Sequence, residues 1–231
     1  MMWFFDFQYV LMVLLPGLLI SGLASWAVKS AFKRYSKVKS MKNYTGAQAA
    51  QLLLERAGIH DVQIVSAHGF LSDHYNPGNK TLALSDSVAN STSLAAIGVA
   101  THEAGHAIQH ATGYLPLGLR SALVPMAGIG SSLGYVMMCL GLFMSKYLVI
   151  AGAILFSLVL LFQLVTLPVE FNASSRAKQL VLEAGIIYPE ERGGIASVLN
   201  AAALTYVAAV ISTLLTLAYF LVRAGLLGSD D

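Results

Sequence analysis

Lys146-Tyr-Leu-Val-Ile-Ala-Gly-Ala-Ile-Leu-Phe-Ser-Leu-Val-Leu-Leu-Phe-Gln-Leu-Val-Thr-Leu-Pro-Val-Glu170 carries 23 uncharged residues, 147–169, between its two charged ends. About 20 mostly apolar residues are enough for a helix to cross the hydrocarbon core of a bilayer, and a helix satisfies its backbone groups within itself. The pattern recurs, with 22 uncharged residues at 7–28, 25 at 121–145 and 30 at 193–222. Four spans are therefore predicted, near 5–27, 121–144, 147–168 and 198–222. Pro125 and several glycines and serines dilute the second. Composition points the same way. Of the 231 residues 56% are hydrophobic and 11% charged, against about 25% charged in soluble domains. So little charge cannot cover a water-soluble globule of this size.

Charge order orients the spans. The front of the first carries Asp6 and no Lys or Arg while the cations follow it, the reverse of a secretory signal, so it reads as a retained anchor. Lys29, Lys33, Arg34, Lys37, Lys39 and Lys42 come directly after that span. Of the 14 Lys and Arg, four spans leave only Lys146 and Arg223 on the opposite side. The positive-inside rule makes the richer side cytoplasmic and puts both termini outside. The basic run suits anionic lipid at a membrane surface better than nucleic acid. The single cysteine, Cys139, falls within the second span and excludes an intramolecular disulfide or a cysteine metal cage.

The fold class expected is a mainly α integral membrane protein with about four transmembrane helices and a small α+β, zincin-like cytoplasmic domain. Its parts are an anchor at 1–28, a catalytic region at 29–120, a transmembrane hairpin at 121–169, cytoplasmic helices at 170–197 and a last span with its tail at 198–231. Thr45-Gly-Ala-Gln48 is a capping box opening a helix that stops at Gly58. Val62–Val65 and Thr81–Leu84 read as strands, with Asn76-Pro-Gly-Asn79 as a turn before the second. A helix follows over Ser91–His110, with Gly113 and Pro116 as stop signals. A further helix is expected to begin near Glu170 and end at Gly185, and Pro189-Glu-Glu191 to open the helix leading into the last span.

The motif helix carries His102-Glu103-Ala104-Gly105-His106, an HExxH sequence. Histidines at i and i+4 lie one above the other on a helix, so their imidazoles can converge on one metal ion. Glu103, one step round, can hold and deprotonate a water without binding the metal itself. Zinc lowers the pKa of water towards about 7, and a carboxylate can pass the proton on to a leaving amine. With six His and six Glu in the chain, about 0.004 such motifs are expected by chance. His110 continues the row one turn beyond reach of the same ion and reads as a polar, supporting residue.

A tetrahedral zinc site needs one more protein ligand. His68, Asp73, His74 and Glu170 are the candidates. Glu170 is favoured because a charge directly after a span needs a partner or a function. Its helix also shares a face of small residues, Ala173, Ser174 and Ala177, that permits close approach. His74 is the runner-up as a ligand. His68, Asp73, His74 and Tyr75 are expected to line the cleft, where His74 or Tyr75 could stabilise an oxyanion. The strand Thr81–Leu84 is expected to offer an exposed edge to an extended peptide.

Four segments resemble the YugP family of neutral zinc metallopeptidases, small bacterial membrane proteins. They are Ser72-Asp-His-Tyr75, His102-Glu-Ala-Gly-His-Ala-Ile-Gln-His110, Leu167-Pro-Val-Glu-Phe-Asn-Ala-Ser174 and Leu199-Asn-Ala-Ala-Ala-Leu-Thr-Tyr206. More distantly the chain is similar to the HtpX and CAAX-prenyl-protease class of membrane gluzincins. Those pair HExxH with a later Glu-Phe-x-Ala-Asp segment whose glutamate is the third zinc ligand, which implies the same role for Glu170. Ser174 stands where those relatives have aspartate, so a charged partner for a ligand histidine is missing and Asn172 or Asn200 is expected to compensate. The resemblance and the motif together imply one Zn2+ per chain held by His102, His106 and Glu170, with Glu103 as general base. Expected substrates are peptides or membrane proteins reached from the cytoplasmic face. The rival readings are a zinc-stapled membrane protein without activity and a zinc hydrolase of a non-peptide amide.

Overall fold

The computed structural model describes residues 7–69 and 71–227. Asp6, the start of the predicted anchor and the tail at 228–231 lie outside the described residues. The elements are α1 (Phe7–Tyr35), α2 (Gly46–Arg56), β1 (Gln63–Ala67), β2 (His74–Asn76), β3 (Thr81–Ser85), α3 (Asp86–Ala89), α4 (Leu94–Ala111), α5 (Leu115–Met144), α6 (Lys146–Glu183) and α7 (Pro189–Arg223). Among the described residues, α1, α5, α6 and α7 are long and apolar enough to cross a membrane. These are the four predicted spans, and the chain is a mainly α membrane protein with one small sheet.

The chain divides into two compact units. One comprises Met1–Ala24, Leu119–Leu167 and Thr205–Asp231, apart from the residues not described. In it α5 and α6 meet through glycine. A Cβ on Gly134 would lie 2.7 Å from the Phe156 nitrogen, and one on Gly152 would lie 2.7 Å from the Met138 nitrogen. Between apolar helices in lipid, such close backbone contact is what association depends on.

The other unit comprises Ser25–Gly118 and Pro168–Leu204. Its core gathers Leu53 and Leu54 of α2, Leu82 and Leu84 of β3, Ile97 and Ala100 of α4, Val181 of α6, and Ile186 and Ile195. Helix α2 has the expected capping box: the Gln48 backbone N–H donates to Thr45 Oγ1 at 3.2 Å, and the Thr45 N–H donates to Gln48 Oε1 at 2.9 Å. It stops where Gly58 adopts φ +70°. Helix α4 starts with Ser93 Oγ accepting the Ala96 N–H, and the chain leaves it through Gly113 at φ +64°.

Several expectations change. Thr81–Ser85 is the central strand of a three-stranded sheet ordered β1-β3-β2, parallel to β1 and antiparallel to β2. Both its edges are paired, so it offers none to a peptide. The turn at Asn76 joins β2 to β3 as a hairpin; β2 was not anticipated because three residues are too short to show alternation. Pro116 sits in the first turn of α5 and opens that helix rather than stopping α4, as its fixed φ and missing N–H allow. Glu170 begins no helix: α6 runs unbroken through Pro168 to Glu183. Small residues do bring α4 and α6 together, since a Cβ on Gly105 would lie 2.9 Å from the Ala173 carbonyl oxygen. Gly105→Ala therefore forces backbone to move. We expect it to cost about 1–3 kcal/mol, read as a lower thermal midpoint than wild type in detergent.

Candidate metal centre

His102 and His106 lie one turn apart on α4, their rings 4.7 Å apart and nearly perpendicular. Glu170 comes from α6, just past the apolar run that ends at 168. One of its carboxylate oxygens, Oε2, is 3.2 Å from His102 Nε2 and 3.6 Å from His106 Nε2. Ligand atoms of the three residues all lie within 4.8 Å of one another. Zinc bonds of about 2.1 Å at tetrahedral angles place neighbouring ligand atoms about 3.4 Å apart. The donor set and its spacing thus fit one zinc ion, and His102, His106 and Glu170 could hold it.

The remaining imidazole nitrogens are engaged. Gln109 Nε2 donates to the Val169 carbonyl at 2.8 Å and to Asn172 Oδ1 at 2.9 Å. A carbonyl can only accept, so the Gln109 amide is oriented with its oxygen towards His106. There Gln109 Oε1 lies 3.0 Å from His106 Nδ1, which makes Nδ1 the donor and leaves the Nε2 lone pair free for a metal. Arg176 Nε donates to the same Asn172 oxygen at 2.8 Å. Ser174 Oγ stands 3.1 Å from His102 Nδ1. A hydroxyl and an amide therefore orient the two histidines, with no carboxylate. Asn172 contributes through Gln109, whereas Asn200 accepts from Lys178 at 3.1 Å. Gln109 was missed by the sequence reading, although it lies three residues from His106 on the same helical face, where an amide can reach that ring.

Electrostatics suit a cation. Burial raises the pKa of Glu103, and although the nearby imidazoles pull it down, Glu170 and Asp73 add to the rise. Burial works to lower the pKa of His106, but the Glu170 hydrogen bond and the charges of Glu103 and Glu170 outweigh it, and the net shift is upward. Burial would raise Glu170, yet its hydrogen bonds to His102 and His106 hold it well below the usual carboxylate range. The buried carboxylates of Glu103 and Glu170 thus favour positive charge between them, which a divalent ion would supply.

The other candidates are not brought to this cluster. Asp73 accepts from the Ser85 N–H at 2.8 Å and lies 3.1 Å from its hydroxyl, pinning the start of β2 to the end of β3. His74 is exposed, with Nδ1 2.9 Å from the Ser72 carbonyl. His68 is exposed. Tyr75 points to the opposite face of β2 from His74, and its hydroxyl is 2.8 Å from His110 Nδ1. The backbone of Tyr75 is also placed by register. The Gln63 N–H donates to the Lys80 carbonyl, so residues 82 and 84 of β3 turn their backbone groups to β1, and 81, 83 and 85 turn theirs to β2. His74 and Asn76 pair with 83 and 81. The N–H and C=O of Tyr75 therefore face away from the sheet, along its open edge. We expect Gln109→Leu to weaken zinc binding about 10- to 100-fold while the chain still folds, measured by competition with a calibrated chelator.

Residues 10–225 match the family described as "Putative neutral zinc metallopeptidase". The chain is 44% identical over 214 residues to "Putative membrane protease YugP" of Bacillus subtilis (strain 168), covering 91% of this chain and 95% of that protein. No solved structure matches it. With the family pattern running through all four spans and the metal cluster, the chain belongs to this family of neutral zinc metallopeptidases.

Proposed function

We propose that the protein is a multi-pass membrane zinc metalloendopeptidase that hydrolyses peptide bonds on the cytoplasmic side of the cell membrane. The observation that carries this reading is the convergence of His102, His106 and Glu170 beside the buried carboxylate of Glu103. Zinc, when bound by those three residues, supplies Lewis acidity towards a scissile carbonyl and makes water easier to deprotonate. Glu103 takes the proton of the attacking water and returns it to the leaving amine. Its raised pKa suits the first half of this role, because a more basic carboxylate takes the proton from water more readily. Gln109 keeps the His106 imidazole in the required tautomer, and Ser174 helps to orient that of His102.

The substrate reading moves from β3 to β2. An extended peptide can add to the sheet by bonding to the N–H and C=O of Tyr75, on the strand that faces the motif helix. Tyr75 thereby acts through its backbone, and its hydroxyl, engaged by His110, is not assigned to the oxyanion. His74 points away from Tyr75, and no step is assigned to it. Substrates are peptides or segments of membrane proteins that can be drawn out into strand conformation.

Metal content per chain in detergent and hydrolysis of labelled casein test the centre. Glu103→Gln keeps about one zinc per chain and loses at least about 100-fold in turnover, whereas Glu170→Ala loses most of the zinc. A Glu103→Gln variant with full turnover removes Glu103 from the mechanism, and a zinc-loaded wild type that cleaves lipid-linked amides but no peptide favours the non-peptide rival. For orientation, single cysteines are introduced in a Cys139→Ala background. One at Asn79 is expected to resist a membrane-impermeant thiol reagent in intact cells, and one at Tyr147 to react. The reverse result inverts the topology.

A further inference from the structure

The geometry points to His110 as a positioning residue that ties the substrate strand to the metal helix. His102, His106 and His110 form one row on α4, each about 6 Å of helix rise from the next. The first two face Glu170. The third meets β2 instead, with Nδ1 2.8 Å from the hydroxyl of Tyr75 and the two rings 5.9 Å apart.

The strand β2 has only three residues, His74–Asn76, too few for backbone pairing alone to hold it firmly. Side chains hold it instead. Asp73 secures its start to Ser85, and Asn76 Oδ1 accepts the Gly78 N–H to close the hairpin turn. Both anchors stay within the sheet or the turn. The Tyr75–His110 contact is the hydrogen bond, among the described residues, that joins β2 to α4. Its partners are only partly exposed, and the Tyr75 ring packs against the core that α4 shares.

The consequence concerns register. Tyr75 is the residue whose backbone N–H and C=O face the open edge, and it is the same residue whose side chain is held by α4. A peptide bonded to Tyr75 is therefore held at a fixed height along the helix that carries His102 and His106, one turn from His106. Without the tether β2 keeps its place in the sheet but can rock against α4, and the edge that pairs with a peptide is less well ordered, so binding weakens. His110 acts on binding through Tyr75 and touches neither the metal nor the reacting atoms. This inference rests on the reading of β2 as the substrate strand.

The test uses the full chain in detergent, zinc-loaded, with labelled casein as probe and amide hydrogen exchange over residues 74–76 as an independent readout. His110→Phe and Tyr75→Phe each keep about one zinc per chain. Each is expected to raise KM about five- to tenfold, the loss of one hydrogen bond, with kcat little changed, and to speed exchange over 74–76. The double variant is no worse than either single one. His110→Asn, whose amide oxygen falls where Nδ1 was, restores both readouts. Wild-type KM and wild-type exchange in His110→Phe overturn the inference. So does loss of zinc, or of kcat at unchanged KM, because either places His110 in the metal centre. If zinc-loaded wild type cleaves no casein, the peptidase reading fails separately, and the exchange of 74–76 still decides whether the tether exists.

Discussion

The carboxylate of Glu170 sits between two imidazoles, 3.2 Å from one and 3.6 Å from the other, and it is almost fully buried. A buried carboxylate is costly unless positive charge or hydrogen-bond donors surround it. Here the cost is met only if α4 and α6 approach until backbone touches backbone. Gly105 and Ala173 make that approach possible. A larger residue at Gly105 would separate the helices, and with them the carboxylate from the imidazoles. The orientation of the rings depends on the same crossing, since Gln109 on α4 reaches Val169 and Asn172 on α6, and Ser174 on α6 reaches His102.

Small residues serve both units, for different physical reasons. In the unit of apolar helices, lipid competes with side chains for contact, so Gly134 and Gly152 allow the close packing that holds helices together. In the unit that carries the cluster, apolar burial already drives assembly through α2, β3 and α4. There the small residues set a distance rather than supply adhesion. The precision of the ligand set is a by-product of how closely two helices can be brought together.

One helical row does two tasks. His102 and His106 could supply metal ligands, and His110, a turn further, lies within hydrogen-bond distance of Tyr75. The period of the helix converts a sequence interval of four into a ladder of side chains on one face. That ladder explains why a site assembled from α4, α6 and β2 is still organised mainly by α4.

Periodicity and composition carry their information locally, and that is why so much was legible. Runs without charge marked the four spans, because lipid tolerates few charges anywhere along a span. The capping box at Thr45 and the breaks at Gly58 and Gly113 were equally plain, since caps act within one turn of helix. HExxH announced two candidate ligands because i and i+4 are neighbours on any helix. Glu170 was found by its place at a span boundary and by resemblance, although the expected helix start there does not exist; α6 passes through Pro168 because nothing local compels it to stop. What remained hidden depended on partners distant in sequence. Whether Thr81–Ser85 is an edge or a centre depends on β1 and β2, and no property of its own five residues reveals it. Gln109 gains its role only because Val169 and Asn172 arrive across a helix crossing and orient its amide. The sequence by itself determined the membrane class, the motif helix and its two histidines, all set by neighbours along the chain. The tertiary structure alone decided which strand lies at the edge of the sheet, which way the amide of Gln109 faces and which residue His110 contacts, because each is a relation between residues that only packing brings together.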